Sequence, residues 1–86
     1  MCTNIVENVV INGSGKGSKG WFELTQANVS FDHPFNAQLE NALNIDFVNK
    51  KLGMDARVAV ELSEESAVAL IDAINTALER GRAALS

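Results

Sequence analysis

Four side chains in this sequence have the types that hold metals or move protons: Cys2, Asp32, His33 and Asp46. His33 is the only histidine, and a neutral imidazole is the commonest metal ligand and titrates near physiological pH. With Asp32, Asp46 and Glu40 nearby in sequence it can contribute to a site for a divalent transition metal. A two-histidine, one-carboxylate site would need a second His from another subunit. Asp32 can instead orient His33 as a general base, with Asn41 or Asn44 polarising a substrate. The plainer alternative is a turn, in which Asp32 before His33-Pro34 caps the backbone and ends a strand. Cys2 follows Met1, so removal of Met1 would leave an amine and a thiolate able to chelate a metal or attack an electrophile. More often a lone Cys is a small buried apolar residue.

A second set comprises Gly15, Lys16, Gly17 and Lys19. The run Gly15-Lys16-Gly17-Ser18-Lys19-Gly20 matches G-x-G-x-x-G letter for letter. A dinucleotide site requires a strand before that motif and a helix after it, so that the helix N-terminus meets the pyrophosphate. Here Trp21-Phe22-Glu23-Leu24 follows and reads as strand, and the chain is too short for a doubly wound domain. The expectation is a mobile hairpin loop. The alternative is an anion-binding loop, in which backbone N–H groups with Lys16 and Lys19 hold a phosphate or carboxylate.

The elements that must position these groups are legible in the hydrophobic pattern. Residues 4–12 read as a strand apolar on both faces, with Ile5, Val9 and Ile11 on one and Val6 and Val10 on the other. Asn12-Gly13 then breaks it. Residues 21–31 read as a second strand whose apolar residues change parity, from Phe22 and Leu24 to Ala27, Val29 and Phe31, which calls for a β-bulge near Thr25-Gln26. Trp21 and Phe22 are expected to pack in a core. A hairpin of these two strands would bring Cys2 beside His33. Asn36 as N-cap and Leu39 and Leu43 at i, i+4 predict a short helix over 36–43. Residues 44–49 and 57–62 read as strands, the second alternating cleanly with Val58, Val60 and Leu62 on one face.

The C-terminal segment is a helix. Ser63 is a good N-cap, Glu64 and Glu65 suit the first turn, and Arg80 and Arg82 suit the last turns. Ala67, Leu70, Ile71, Ile74, Ala77, Leu78 and Leu85 form one apolar stripe. Ala69, Ala73 and Ala77 add a small-residue ridge, which reflects helix propensity or a close helix–helix contact across a dimer.

The whole chain bounds these readings. Its 86 residues allow one domain, residues 1–86. Seven Lys+Arg against eleven Asp+Glu give a net charge of −4, which weighs against nucleic acid as a partner. No apolar run approaches the roughly 18 residues of a membrane span, and no secretory signal pattern opens the chain, so a cytoplasmic location is expected. One cysteine gives no internal disulfide. A core this small commonly needs a metal or self-association as a supplement, and Val6 and Val10 leave a second face to cover, so a homo-oligomer, with a dimer favoured, is expected.

The opening Cys2-Thr3-Asn4-Ile5-Val6, the Gly13-Ser14-Gly15-Lys16-Gly17 and Gly20-Trp21-Phe22 stretches, Phe31-Asp32-His33-Pro34 and Leu43-Asn44-Ile45-Asp46-Phe47-Val48-Asn49 together resemble a family of small uncharacterised bacterial proteins over nearly the whole chain. The resemblance implies a bacterial, cytoplasmic, free-standing protein and supplies no mechanism. The expected fold is α+β: an antiparallel sheet of about four strands in two hairpins, with the C-terminal amphipathic helix on one face. Two functions compete. One is a non-enzymatic binding or accessory protein that holds a small ligand or partner through the glycine segment and the Asp32-His33 turn. The other is a metal-binding protein or metal-dependent enzyme with Cys2, Asp32, His33 and Asp46 near one another.

Overall fold

The structure, a computed structural model, describes residues 5–32, 41–53 and 55–85. The element order is β1 (Ile5–Gly17), β2 (Gly20–Asp32), β3 (Ala42–Val48), a 3-10 turn (Lys50–Leu52), β4 (Arg57–Leu62) and α1 (Glu64–Leu85). The four strands form one antiparallel sheet in the order β1-β2-β3-β4, and with α1 they make an α+β fold. Consecutive strands are neighbours throughout, as short connections favour. The sheet curls enough that β1 approaches β4.

The sequence pattern explains the register. Phe47 pairs with Ala27 on one side and Val58 on the other; Ile45 pairs with Val29 and Val60; Leu43 pairs with Phe31 and Leu62. Directly paired residues share a face. The alternating apolar positions of β2, β3 and β4 therefore stack into one apolar face, which Val9 of β1 extends through its pairing with Ala27. The opposite face is polar. Its rows are Val6–Ser30–Asn44–Glu61, Asn8–Asn28–Asp46–Ala59 and Val10–Gln26–Val48–Arg57.

Three expectations are corrected here. First, β1 does not stop at Asn12 but runs to Gly17, and only Ser18 and Lys19 form the turn, so the glycine segment is strand rather than loop. Gly13, Gly15 and Gly17 alternate with Ser14 and Lys16, and the glycines face β2 residues that need room. A Cβ on Gly15 would lie 3.0 Å from Leu24 Cδ1, and one on Gly17 would lie 3.0 Å from Phe22 Cε1. Gly20 closes the turn with φ 109, the left-handed region that glycine alone enters without cost. Second, the bulge lies opposite Thr25, but its extra residue is in β1. Val10 pairs with Gln26 and Gly13 with Leu24, so Ile11 and Asn12 together face Thr25. β2 stays regular and serves both faces, with Leu24 buried on one side and Ala27 on the other. Third, Ala42 and Leu43 belong to β3 rather than to a helix over 36–43. The rest of that expected helix, 36–40, lies outside the described residues. Pairing of Leu43 with both Phe31 and Leu62 gives it more cross-strand contact than one turn of isolated helix would.

The helix forms as its caps and stripe require. Ser63 Oγ accepts from Ser66 N at 3.1 Å, and Glu64 and Glu65 occupy the first turn. Only its N-terminal part is fastened: Ala67 is its one buried residue, and α1 touches the sheet at β3. Leu70, Ile71, Ile74 and Leu78 are each more than two-fifths exposed, and Leu85 is 90% exposed. One residue, Ser63, separates β4 from α1, whereas strand-to-helix connections usually use 2–6 residues. Beyond that first contact the apolar stripe of the helix is not packed on its own sheet.

Candidate functional site

The polar face of the sheet gathers hydrogen-bonding side chains because β2, β3 and β4 place their polar alternates on that side. Gln26 Nε2 donates to Asn28 Oδ1 at 2.6 Å. Arg57 donates to Asp46 Oδ1 twice, from Nη2 at 2.8 Å and from Nε at 3.1 Å, across a diagonal of the β3–β4 ladder. The pair is part-exposed, so its Coulomb contribution is small. Its effect is to hold the Asp46 carboxylate down on the sheet. Asn44 Oδ1, one row away, is buried with no hydrogen-bond donor. It is an acceptor aimed at nothing on the described chain.

This face runs into an open groove at the end of β3, lined by Asn28, Val48, Asn49, Lys50, Gly53, Ala56 and Arg57. Asn49 builds the groove wall. Its Nδ2 donates to the Glu23 carbonyl at 3.0 Å, and its Oδ1 accepts from Lys51 N at 3.1 Å as the cap of the 3-10 turn. Its backbone N donates to the Ala56 carbonyl at 3.1 Å, and its carbonyl accepts from Leu52 N at 3.1 Å. Gly53, at φ 95, lets the loop reverse toward β4. Asn49 was absent from the candidates read in the sequence. The available signal was an Asn followed by Lys-Lys-Leu-Gly, a cap-turn-reversal pattern.

The structure places the sequence candidates as follows. Asp32 and Asp46 lie on the same sheet face but in different rows. Asp32 pairs with Ala42, and Asp46 with Asn28, four residues away along the ladder. That is about 13 Å along the strands, too far for two carboxylates to share an ion at bond lengths of about 2.0–2.6 Å. Asp46 is instead engaged by Arg57. Cys2 and His33 lie outside the described residues, and so does the question of whether they meet. Among the described residues there is no cluster of three His, Cys, Asp or Glu able to hold a metal ion.

Gly15 and Gly17 are ladder positions paired with Phe22 and Gly20. Extended backbone sends N–H groups two residues apart to the same edge, parallel and about 6.6 Å apart, so these two do not converge on one anion as the N–H groups of a nest do. Lys16 pairs with Trp21 on the opposite side of the hairpin from Leu24, and Lys19 Nζ lies 3.2 Å from Asp55 Oδ2 at the exposed turn. Trp21 is 71% exposed rather than packed in a core. Phe22 is half-buried against Gly17.

No helix among the described residues is long and apolar enough to cross a membrane. The chain matches no curated protein and no solved structure. It does match the model of the Family of unknown function (DUF6295) along residues 1–86, and this protein belongs to that family.

Proposed function

We propose that this protein is a self-associating, non-enzymatic binding or accessory protein whose working unit is a homodimer. The carrying observation is surface. The chain exposes 6741 Å², whereas a folded monomer of 9.2 kDa exposes about 4900 Å². The surplus, roughly 1800 Å² per chain, matches the 1000–2500 Å² or so that each copy contributes to an obligate homodimer. The radius of gyration, 14.6 Å, likewise exceeds the value of about 12 Å for a compact chain of this length. Among the described residues the buried apolar set is Leu24, Ala27, Ala42, Ala56 and Ala67. One large side chain and four alanines are a thin core for a chain that is 47% apolar.

The two faces of the sheet support a division of labour. The apolar face suits self-association. The polar face, with Gln26, Asn28 and the Asp46–Arg57 pair, offers donors and acceptors to a hydrogen-bonding small ligand or partner. Its chemistry is recognition: carboxamides neither titrate nor attack, and Asp46 is already paired. Sedimentation equilibrium and native mass spectrometry of the untagged protein, purified without chelator, test the reading. The expected species is a dimer of twice 9.2 kDa that persists at micromolar concentration. A monomer at every concentration up to about 100 μM, weaker than any stable interface of this area, refutes it.

A further inference from the structure

We infer that the dimer is built by reciprocal helix exchange: α1 of each copy lies across the apolar sheet face of the other. The inference rests on the homodimer reading above and specifies its geometry. Among the described residues two apolar surfaces are left incompletely covered. One is the helix stripe, in which Leu70, Ile71, Ile74 and Leu78 remain about half exposed. The other is the sheet face carrying Ile45, Phe47, Val58 and Val60, none of which is fully buried.

The two surfaces fit each other in kind. A stripe using Ala67, Leu70, Ile71, Ile74 and Leu78 is the broad band of a helix that lies on a layer, wider than the two-position seam of a coiled coil. Pairing the two α1 helices with each other would cover the stripes and leave both sheet faces wet. Pairing the two sheets would leave the stripes wet. Helix on sheet covers both at once.

The link and the exposed stripe point to the partner's sheet. Ser63 is the only residue between β4 and α1, a connection shorter than most, and beyond its contact with β3 the helix leaves its stripe exposed rather than packed on its own strands. The helix of 22 residues extends about 33 Å, enough to reach a second copy. Twofold symmetry then makes two identical contacts. Each copy gives one stripe and one face, so the surplus of roughly 1800 Å² divides into two surfaces of about 900 Å² each.

Two experiments on the full chain decide this. In the first, uniformly 13C-labelled and unlabelled unmodified protein are mixed, unfolded and refolded together, and an isotope-filtered NOESY selects contacts between copies. The expected intermolecular cross-peaks join methyls of Ile74 and Leu78 to the Phe47 ring and Val60 methyls. Intermolecular peaks confined to α1 with α1, or to sheet with sheet, overturn the exchange while leaving the dimer intact. In the second, four Gly/Ser residues are inserted between Leu62 and Ser63. The slack lets α1 reach its own sheet at an effective concentration on the order of 1 mM. At 10 μM protein this favours the closed monomer by about 100-fold. A folded, mostly monomeric insertion variant is the expected result. An insertion variant that dimerises as tightly as the native chain overturns the exchange, and a native chain that is itself monomeric overturns the homodimer reading.

Discussion

Asn49 ties the loop between β3 and β4 to β2, and its replacement is the most informative stability test. Its side chain is 5% exposed and makes two hydrogen bonds, one to the Glu23 carbonyl and one from Lys51 N. Asn49→Ala removes both. A buried backbone group that loses its partner costs about 1–3 kcal/mol, and loss of a cap costs about 0.5–2 kcal/mol. Lys51 is exposed, so its N–H regains a bond to water. The bond to the Glu23 carbonyl is part-buried, so water replaces it only incompletely. The net loss is therefore about 2 kcal/mol, or a fall in Tm of roughly 8–16 °C for a domain of this size. Chemical and thermal unfolding at one fixed protein concentration measures it, because association makes Tm depend on concentration. Asn49→Asp separates the two bonds. The carboxylate still accepts from Lys51 N but sets a negative oxygen against the Glu23 carbonyl. That raises the folded-state pKa of the new carboxyl. The variant is then destabilised at neutral pH and recovers as the pH falls through that raised pKa, where the protonated acid can donate, with the recovery complete by about pH 4. An Asn49→Ala protein within about 0.5 kcal/mol of the native chain, the range of ordinary surface changes, would refute the reasoning.

Three further outcomes are expected. Gly15→Val, which overlaps Leu24, should cost about 1–3 kcal/mol, whereas Gly13→Ala, with nothing within 4 Å, should be neutral or gain up to about 1 kcal/mol; urea unfolding of the pair checks that contrast. Gly81→Ala in α1, also with open space at its Cβ, should raise helix content and stability by about 1 kcal/mol per chain, read by circular dichroism during thermal unfolding. Asp46→Asn should change stability by no more than about 1 kcal/mol, because the Arg57 pair is part-exposed; a larger loss in unfolding experiments would mean the pair holds the polar face together.

Local pattern was enough to locate most elements. Alternation in 57–62 and the stripe after Ser63 mark β4 and α1, because strand and helix periods differ and their caps are local. Where the pattern misled, the deciding contacts were non-local. Gly13, Gly15 and Gly17 read as a loop by composition. The need to seat Leu24 and Phe22 makes them a strand, and their own period-two spacing was the overlooked sign. The parity change in β2 called for a bulge there, yet pairing let β2 stay regular by covering both faces, so the extra residue moved to β1. Leu43 sits in a strand because Phe31 and Leu62 flank it. The candidate ligands show the same limit. Asp32 and Asp46 are near in sequence, but the ladder sets them four residues apart and gives Asp46 to Arg57. Asn49 carried only the local signal of a cap before a turn, since its other partners, Glu23 and Ala56, lie elsewhere in the sequence. Secondary structure follows from short-range sterics and solvation, which the sequence carries residue by residue. Which polar groups meet, and which apolar faces go uncovered, depends on register and on the direction in which α1 leaves the sheet, and only the assembled tertiary structure settles those.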